Sequence, residues 1–309
     1  MHTPTERKTA QHPHAWLIPF ACLIAGGILT GLSTNLAKYA GSIGLTALAF
    51  LFWAITGAAI ILLVIATVRR ERPLLTARYL EYYFIAALVS VAGANLIFFS
   101  AIPHVGASFV ALILALPPLL TYIGALALDM ERFNKQRAFG VACALAGASV
   151  LAIHKFSAAD ASIFWVLLAL CGPILLAIGN LYRTLRWPDQ ASPMALAPGM
   201  LIAAALLLAM VSLFPTFSLA VPMGKMLPFI VIVVQAFIFA GQFLLLFLLQ
   251  KTGGPVLLSL LGTIGAVVGV PIAIFLQGER PPDGLLLGAS LIGLGVFFVT
   301  WGGIKIKNL

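Results

Sequence analysis

Charge is what this sequence has least of. Asp, Glu, Lys and Arg make up 9% of its 309 residues against 62% hydrophobic ones, too few polar side chains to cover a globule of this size in water. A mean hydropathy of +1.10 points instead to an integral membrane protein. Acidic residues are the scarcest. All nine (Glu6, Glu71, Glu81, Asp129, Glu131, Asp160, Asp189, Glu279 and Asp283) fall in loops or near the ends of apolar runs, so no mid-membrane carboxylate is expected to relay protons. The three cysteines, Cys22, Cys143 and Cys171, sit inside apolar runs without metal-ligand spacing, which leaves no disulfide framework or metal site to expect. The five histidines (His2, His12, His14, His104 and His154) gather nowhere with Ser and Asp, so a polytopic enzyme acting on lipid-linked substrate has no constellation to work with. Neither G-x-x-x-x-G-K-[ST] nor a strand-bound G-x-G-x-x-G occurs, so no ATP or other cofactor is expected. No cleavable signal is apparent at the start, and no soluble domain separates the apolar runs.

Those runs are what the chain has in abundance. A bilayer core of about 30 Å needs roughly 20 apolar residues per helix. Ten runs qualify, near 16–38, 45–68, 79–101, 105–128, 136–154, 161–183, 194–214, 226–250, 255–276 and 284–303. Their length and their Leu, Ala and Gly content predict helices rather than the alternating strands of a barrel. With the N-terminus inside, fourteen of the eighteen basic residues face the cytoplasm, leaving Lys38, Lys155, Lys225 and Arg280 outside, so both termini are expected to be cytoplasmic. This bias explains the net charge of +9; split among loops, the basic residues form no nucleic-acid footprint.

Sliding the chain over itself by 148 residues pairs Glu131 with Glu279 and Arg132 with Arg280, and Gly93, Gly106, Gly140 and Gly147 with Gly241, Gly254, Gly288 and Gly295. Six identities on one ungapped shift indicate an internal duplication. The expected units are residues 1–155 and 156–309. An odd number of helices per copy makes the second enter the membrane from the opposite side, the inverted-repeat construction of many secondary transporters. A shift of 145 similarly aligns Asn35-Leu-Ala-Lys38 with Asn180-Leu-Tyr-Arg183.

The segments "LILALPPLLTYIGALALDMERFNKQRAFGVACALAGASVL" and "LLSLLGTIGAVVGVPIAIFLQGERPPDGLLLGASLIGLGVF" resemble the drug/metabolite transporter superfamily, EamA type. There a helix with a mid-span Pro or Gly leads to a Glu, and the next helix carries spaced glycines. Within that group the chain looks most like the YddG-type exporters of aromatic and other amino acids. The resemblance implies a multi-pass protein of the bacterial inner membrane with a central substrate cavity between two five-helix halves. It departs at one point: Pro117-Pro118 of the first copy aligns with Gly265-Ala266 of the second.

Polar residues in apolar spans are functional candidates by default. Those expected to bind substrate are Asn35, Lys38, Tyr79, Tyr82, Tyr83, Asn95, Phe99, Trp165, Asn180, Gln235, Gln242, Ser259 and Thr263. Expected gating or structural positions are Pro117, Pro118, Glu131, Gly265, Pro271 and Glu279. Each has a plainer alternative: amides bridge helices, aromatics pack or form the interfacial belt, and Lys38 and Arg183 reach for headgroups. Neutral amides and hydroxyls can hold a zwitterion without a buried ion. The resulting expectation is an exporter of amino acids or similar small metabolites, working by alternating access without obligatory proton coupling. A drug, organic-cation or nucleoside exporter of the same fold is the alternative. Small solute and membrane lipid are the expected partners of a monomer or weak homo-oligomer.

Overall fold

A computed structural model of the protein describes residues 17–156, 163–222, 226–281 and 283–307, and among these every regular element is helical. The helices are α1 (Leu17–Ser42), α2 (Ala47–Val68), α3 (Ala77–Ala87), α4 (Gly93–Val105), α5 (Ala107–Ile113), α6 (Pro117–Ala127), α7 (Lys135–Phe156), α8 (Ile163–Leu185), α9 (Pro193–Val211), α10 (Met226–Ser259), α11 (Leu261–Pro271) and α12 (Leu285–Lys307). π-helical turns, Leu88–Ala92 and Ile272–Leu276, join α3 to α4 and extend α11. Among the described residues eight spans are long and apolar enough to cross a bilayer, and two shorter apolar helices, Leu261–Leu276 and Leu285–Val299, accompany them. This is a multi-pass membrane protein.

The expected run 105–128 is broken between α5 and α6. Pro117 starts α6 at its first position, where a missing N–H costs no helical bond. The expected gap between runs 226–250 and 255–276 is absent, since α10 continues through Gly253, Gly254 and Pro255 and ends only at Ser259. In a spanning segment the continuous ladder keeps backbone groups paired, and Pro255 removes just one donor. The second half bends elsewhere than at Gly265-Ala266: at Leu260, and in the π-helical turn after Pro271.

Small residues decide which helices touch. A Cβ on Gly31 would lie 2.7 Å from the Gly265 carbonyl oxygen and 2.9 Å from the Gly269 nitrogen, so α1 and α11 cross backbone to backbone. On α7 and α12, Gly140 abuts Gly295 and Gly147 abuts Gly288, which runs the two helices antiparallel. Other prominent pairings are α1 with α10, α4 with α8, α2 with α9 and with α10, α3 with α9, α6 with α8, and α5 with α11. The main buried core draws heavily on α2, α3, α4 and α9, while α1, α4, α8, α10 and the broken α5–α6 and α10–α11 segments converge on one another.

Candidate functional site

At this convergence is a cavity of about 100 Å³, several times the roughly 10–15 Å³ that one water requires. α1 contributes Thr30, Ser33 and Thr34; the first π-helical turn contributes Ser90; α4 contributes Asn95, Phe98 and Phe99. α8 adds Leu176, Asn180 and Arg183, and α10 adds Gln242, Phe243, Leu246 and Leu258. The helix breaks close it with Leu114, Pro117, Leu261 and Gly262. Gly262 packs directly on the Leu114 backbone carbonyl, which leaves no room for a side chain.

Of the residues expected to bind substrate, Asn95, Phe99, Asn180 and Gln242 meet in this cavity, joined by Pro117 from the gating set. Asn95 Nδ2 donates to the Val91 carbonyl at 2.9 Å, occupying an acceptor in the π-helical turn. Gln242 Nε2 donates to Thr30 Oγ1 at 3.1 Å and leaves its Oε1 without a partner. Phe99 stacks between Phe50 and Phe239, with ring centroids at 5.8 and 6.2 Å.

The others lie elsewhere. Asn35 Nδ2 donates to the carbonyls of Gly31 and Gly269, both at 2.9 Å, and so straps α1 to α11. Gln235 Nε2 donates to Ser33 Oγ at 2.6 Å behind the cavity wall. Tyr79 reaches the Asp189 carbonyl at 3.5 Å, Tyr82 stacks on Tyr182 at 6.1 Å, and Tyr83 packs over Gly199. Trp165 lies flat on His104 at 4.1 Å. Thr263 Oγ1 is buried without a partner, and the side chain of Ser259 lies outside the described residues. Pro118 is buried beside Pro117 at the start of α6. Gly265 takes part in the α1–α11 crossing, and Pro271 ends α11.

Lys38 and Glu279 form a latch at one end of the molecule. Lys38 Nζ donates to Glu279 Oε2 at 2.8 Å, with side-chain exposures of 28% and 13%. The same carboxylate accepts the Ala107 N–H at 3.0 Å and the Ser108 N–H at 3.2 Å, and the Ser108 hydroxyl donates to it as well. Gly106, at φ +90°, turns the chain so that these amides face the carboxylate, and its missing side chain leaves the space Glu279 fills. Burial pushes the Glu279 carboxyl upward, but hydrogen bonds from Lys38 and Ser108 and the Lys38 charge outweigh it, holding the group below its ordinary value. Glu131, its counterpart on the 148-residue shift, instead pairs with Arg137, whose Nε donates to the Val299 carbonyl at 3.1 Å and whose guanidinium lies 4.8 Å from the Tyr122 ring centre.

Arg183 departs most from expectation. It does not reach for headgroups: it is 1% exposed and lines the cavity, with a partner from α10. Its Nη2 donates to Asn180 Oδ1 at 2.7 Å and its Nε to Gln250 Oε1 at 3.2 Å. Beyond Gln250 a second hollow is lined by Thr184, Trp187, Gln250 and Lys251. The hydroxyls Thr30, Ser33 and Thr34 were legible only as i, i+3, i+4 spacing on one helix, a pattern that back-bonding to the helix's own carbonyls explains equally well. Thr30 and Thr34 do make such bonds, at 2.9 and 3.1 Å.

Residues 17–153 match the EamA-like transporter family. The match covers the first half of the chain, which supplies α1 and α4 to the cavity. No curated protein matches. One solved crystal structure superposes with a TM-score of 0.64 at 16% identity, over 95% of this chain and 98% of that one, a likeness that shows the fold alone.

Proposed function

We propose that the chain is a ten-helix transporter of the EamA type that moves small metabolites, amino acids foremost, out across the bacterial inner membrane by alternating access through this cavity. The observation that carries the reading is an asymmetry. Exchanging the two halves turns α1–α10 into α8–α4, α1–α11 into α8–α6 and α2–α10 into α9–α3, each a pairing the molecule makes. The glycine contacts Gly140–Gly295 and Gly147–Gly288 also exchange with one another, as residues about a two-fold axis do. The ion pairs do not follow. Lys38–Glu279 is made, whereas the equivalent residues Arg183 and Glu131 bind other partners. Two equivalent ends, one latched and one not, are what a single state of an alternating-access cycle requires.

The EamA-like match over residues 17–153 supports transport over catalysis. The cavity's hydroxyls and amides suit the polar ends of an amino acid, its phenylalanines suit an apolar side chain, and the positive Arg183 disfavours organic cations. No described carboxylate lines the cavity, which favours transport without obligatory proton coupling.

Purified protein in proteoliposomes loaded with labelled amino acids is expected to show flux that persists when pH gradient and membrane potential are collapsed. Gln242→Leu and Asn95→Leu each remove a hydrogen bond worth about 1 kcal/mol, so affinity should fall several-fold with folded yield unchanged. Strict dependence on a proton gradient, or unchanged affinity in both variants, would sink the reading.

A further inference from the structure

The geometry points to Arg183 as an anion-binding residue of the cavity, one that takes the carboxylate of the transported solute. This rests on the transporter reading and adds to it a chemical class and the residue that selects it. A guanidinium has five N–H donors in a planar fork and stays charged. Burying one is costly unless an anion compensates it. Among the described residues Arg183 makes no ion pair: its two hydrogen bonds go to neutral amide oxygens, and Nη1 has no partner.

The internal repeat sharpens the point. Lys38 occupies the equivalent position in the first half and has Glu279. The carboxylate that the repeat would assign to Arg183 is Glu131, and Arg137 already holds it. In this state no described carboxylate meets Arg183, and the cavity that Arg183 lines gives a solute anion access to it.

The surroundings fit. Gln250 Nε2, Tyr82 Oη and Ser90 Oγ are further buried donors without partners; Tyr82 lies within electrostatic reach of Arg183, and Ser90 lines the same cavity. Arg183 and a donor-rich neighbourhood favour a carboxylate, which accepts through two oxygens and can engage the fork of Arg in bidentate fashion. On the α10 wall, Gln242 Oε1 is an unpartnered acceptor that an ammonium group can use.

The test is thermal unfolding of the detergent-purified full chain against L-phenylalanine, L-leucine and benzoate, each beside the carboxamide that lacks its carboxylate (benzamide being the uncharged one), with inorganic phosphate as a further anion. The wild type is expected to be stabilised by the acids and not by the amides. Arg183→Gln should weaken the acid response about thirtyfold or more, the lower end of what losing one partner of a buried charge pair costs. Gln250→Glu guards against misfolding, because it places a carboxylate where Oε1 already accepts from Arg183. That variant should unfold at higher temperature than the wild type without ligand and should lose the acid response. Acids and amides that stabilise equally, a preference for phosphate, an acid response that survives Arg183→Gln or Gln250→Glu, or no response to any acid each overturns the assignment. Efflux of nucleosides or amines from the same preparation in liposomes would then leave the transporter reading standing, whereas absence of all flux would remove that reading too.

Discussion

At the scale of single residues the latch makes the firmest predictions. Glu279→Ala strands the Lys38 ammonium and the Ala107 and Ser108 amides, and unfilled buried donors of this kind cost about 1–3 kcal/mol. A lower unfolding temperature in detergent is the expected outcome. Its pH dependence has a definite sign. The folded-state carboxyl sits below its ordinary value of 4.5, so the latch's contribution is complete above that pH and is lost as pH falls through the lower folded value. The stability gap between wild type and Glu279→Ala should hold from neutrality to about pH 4.5 and shrink below it; a gap that widens on acidification would contradict the latch. Gly106→Ala should damage the same feature, because alanine is strained at φ +90° and its methyl enters the space of the carboxylate. Combined with Glu279→Ala, it should cost less than the two single changes added together, since the collision has gone.

At the scale of helices, close approach at glycine is the governing device. A Cβ on Gly295 would lie 2.5 Å from both the Ala144 Cβ and the Gly140 carbonyl oxygen, whereas one on Gly293 meets nothing within 4 Å. Gly295→Leu should therefore force α7 and α12 apart, at the roughly 1–3 kcal/mol typical of overpacking, and reduce the yield of monodisperse protein. Gly293→Leu, two residues away, should be neutral. Equal effects would mean that general helix propensity, not the crossing, governs these positions. The two interrupted helices follow a related logic. Pro117 was visible in the sequence as a breaker, and the structure uses it as the first residue of α6. The break at Leu260 had no such mark, because it lies among apolar residues and depends on how Gly262 meets the Leu114 carbonyl.

At the scale of the whole molecule, orientation can be measured directly. In a variant lacking Cys22, Cys143 and Cys171, a single Ser42→Cys at the end of α1 should react with an impermeant thiol reagent in intact cells. Arg70→Cys, after α2, should react only once the membrane is opened. The reverse pattern would invert the topology read from the basic residues. Most of the architecture was open to reading in this way. Scarce charge called for a membrane and run length called for helices, whereas the crossing of α1 on α11 at Gly31 and Gly265 appears only in the fold. Of the residues lining the candidate cavity, only Asn95, Phe99, Asn180, Gln242 and Pro117 were picked out in the sequence, because an amide in an apolar helix must find a partner in either case, and periodicity cannot say whether that partner is a helix or a ligand.

Composition and spacing by themselves determined the solvent, the helices and the doubled Glu-Arg and Asn-to-basic marks, since each depends on transfer energy or on a repeat carried within the chain. Only the tertiary structure decided what those marks do. Lys38 and Arg183 hold equivalent places in the sequence, yet Lys38 meets Glu279 and Arg183 meets two amides and a cavity. The physical reason is that an ion pair depends on a few ångströms between helices far apart in the chain. Two halves with the same marks can pack those helices differently.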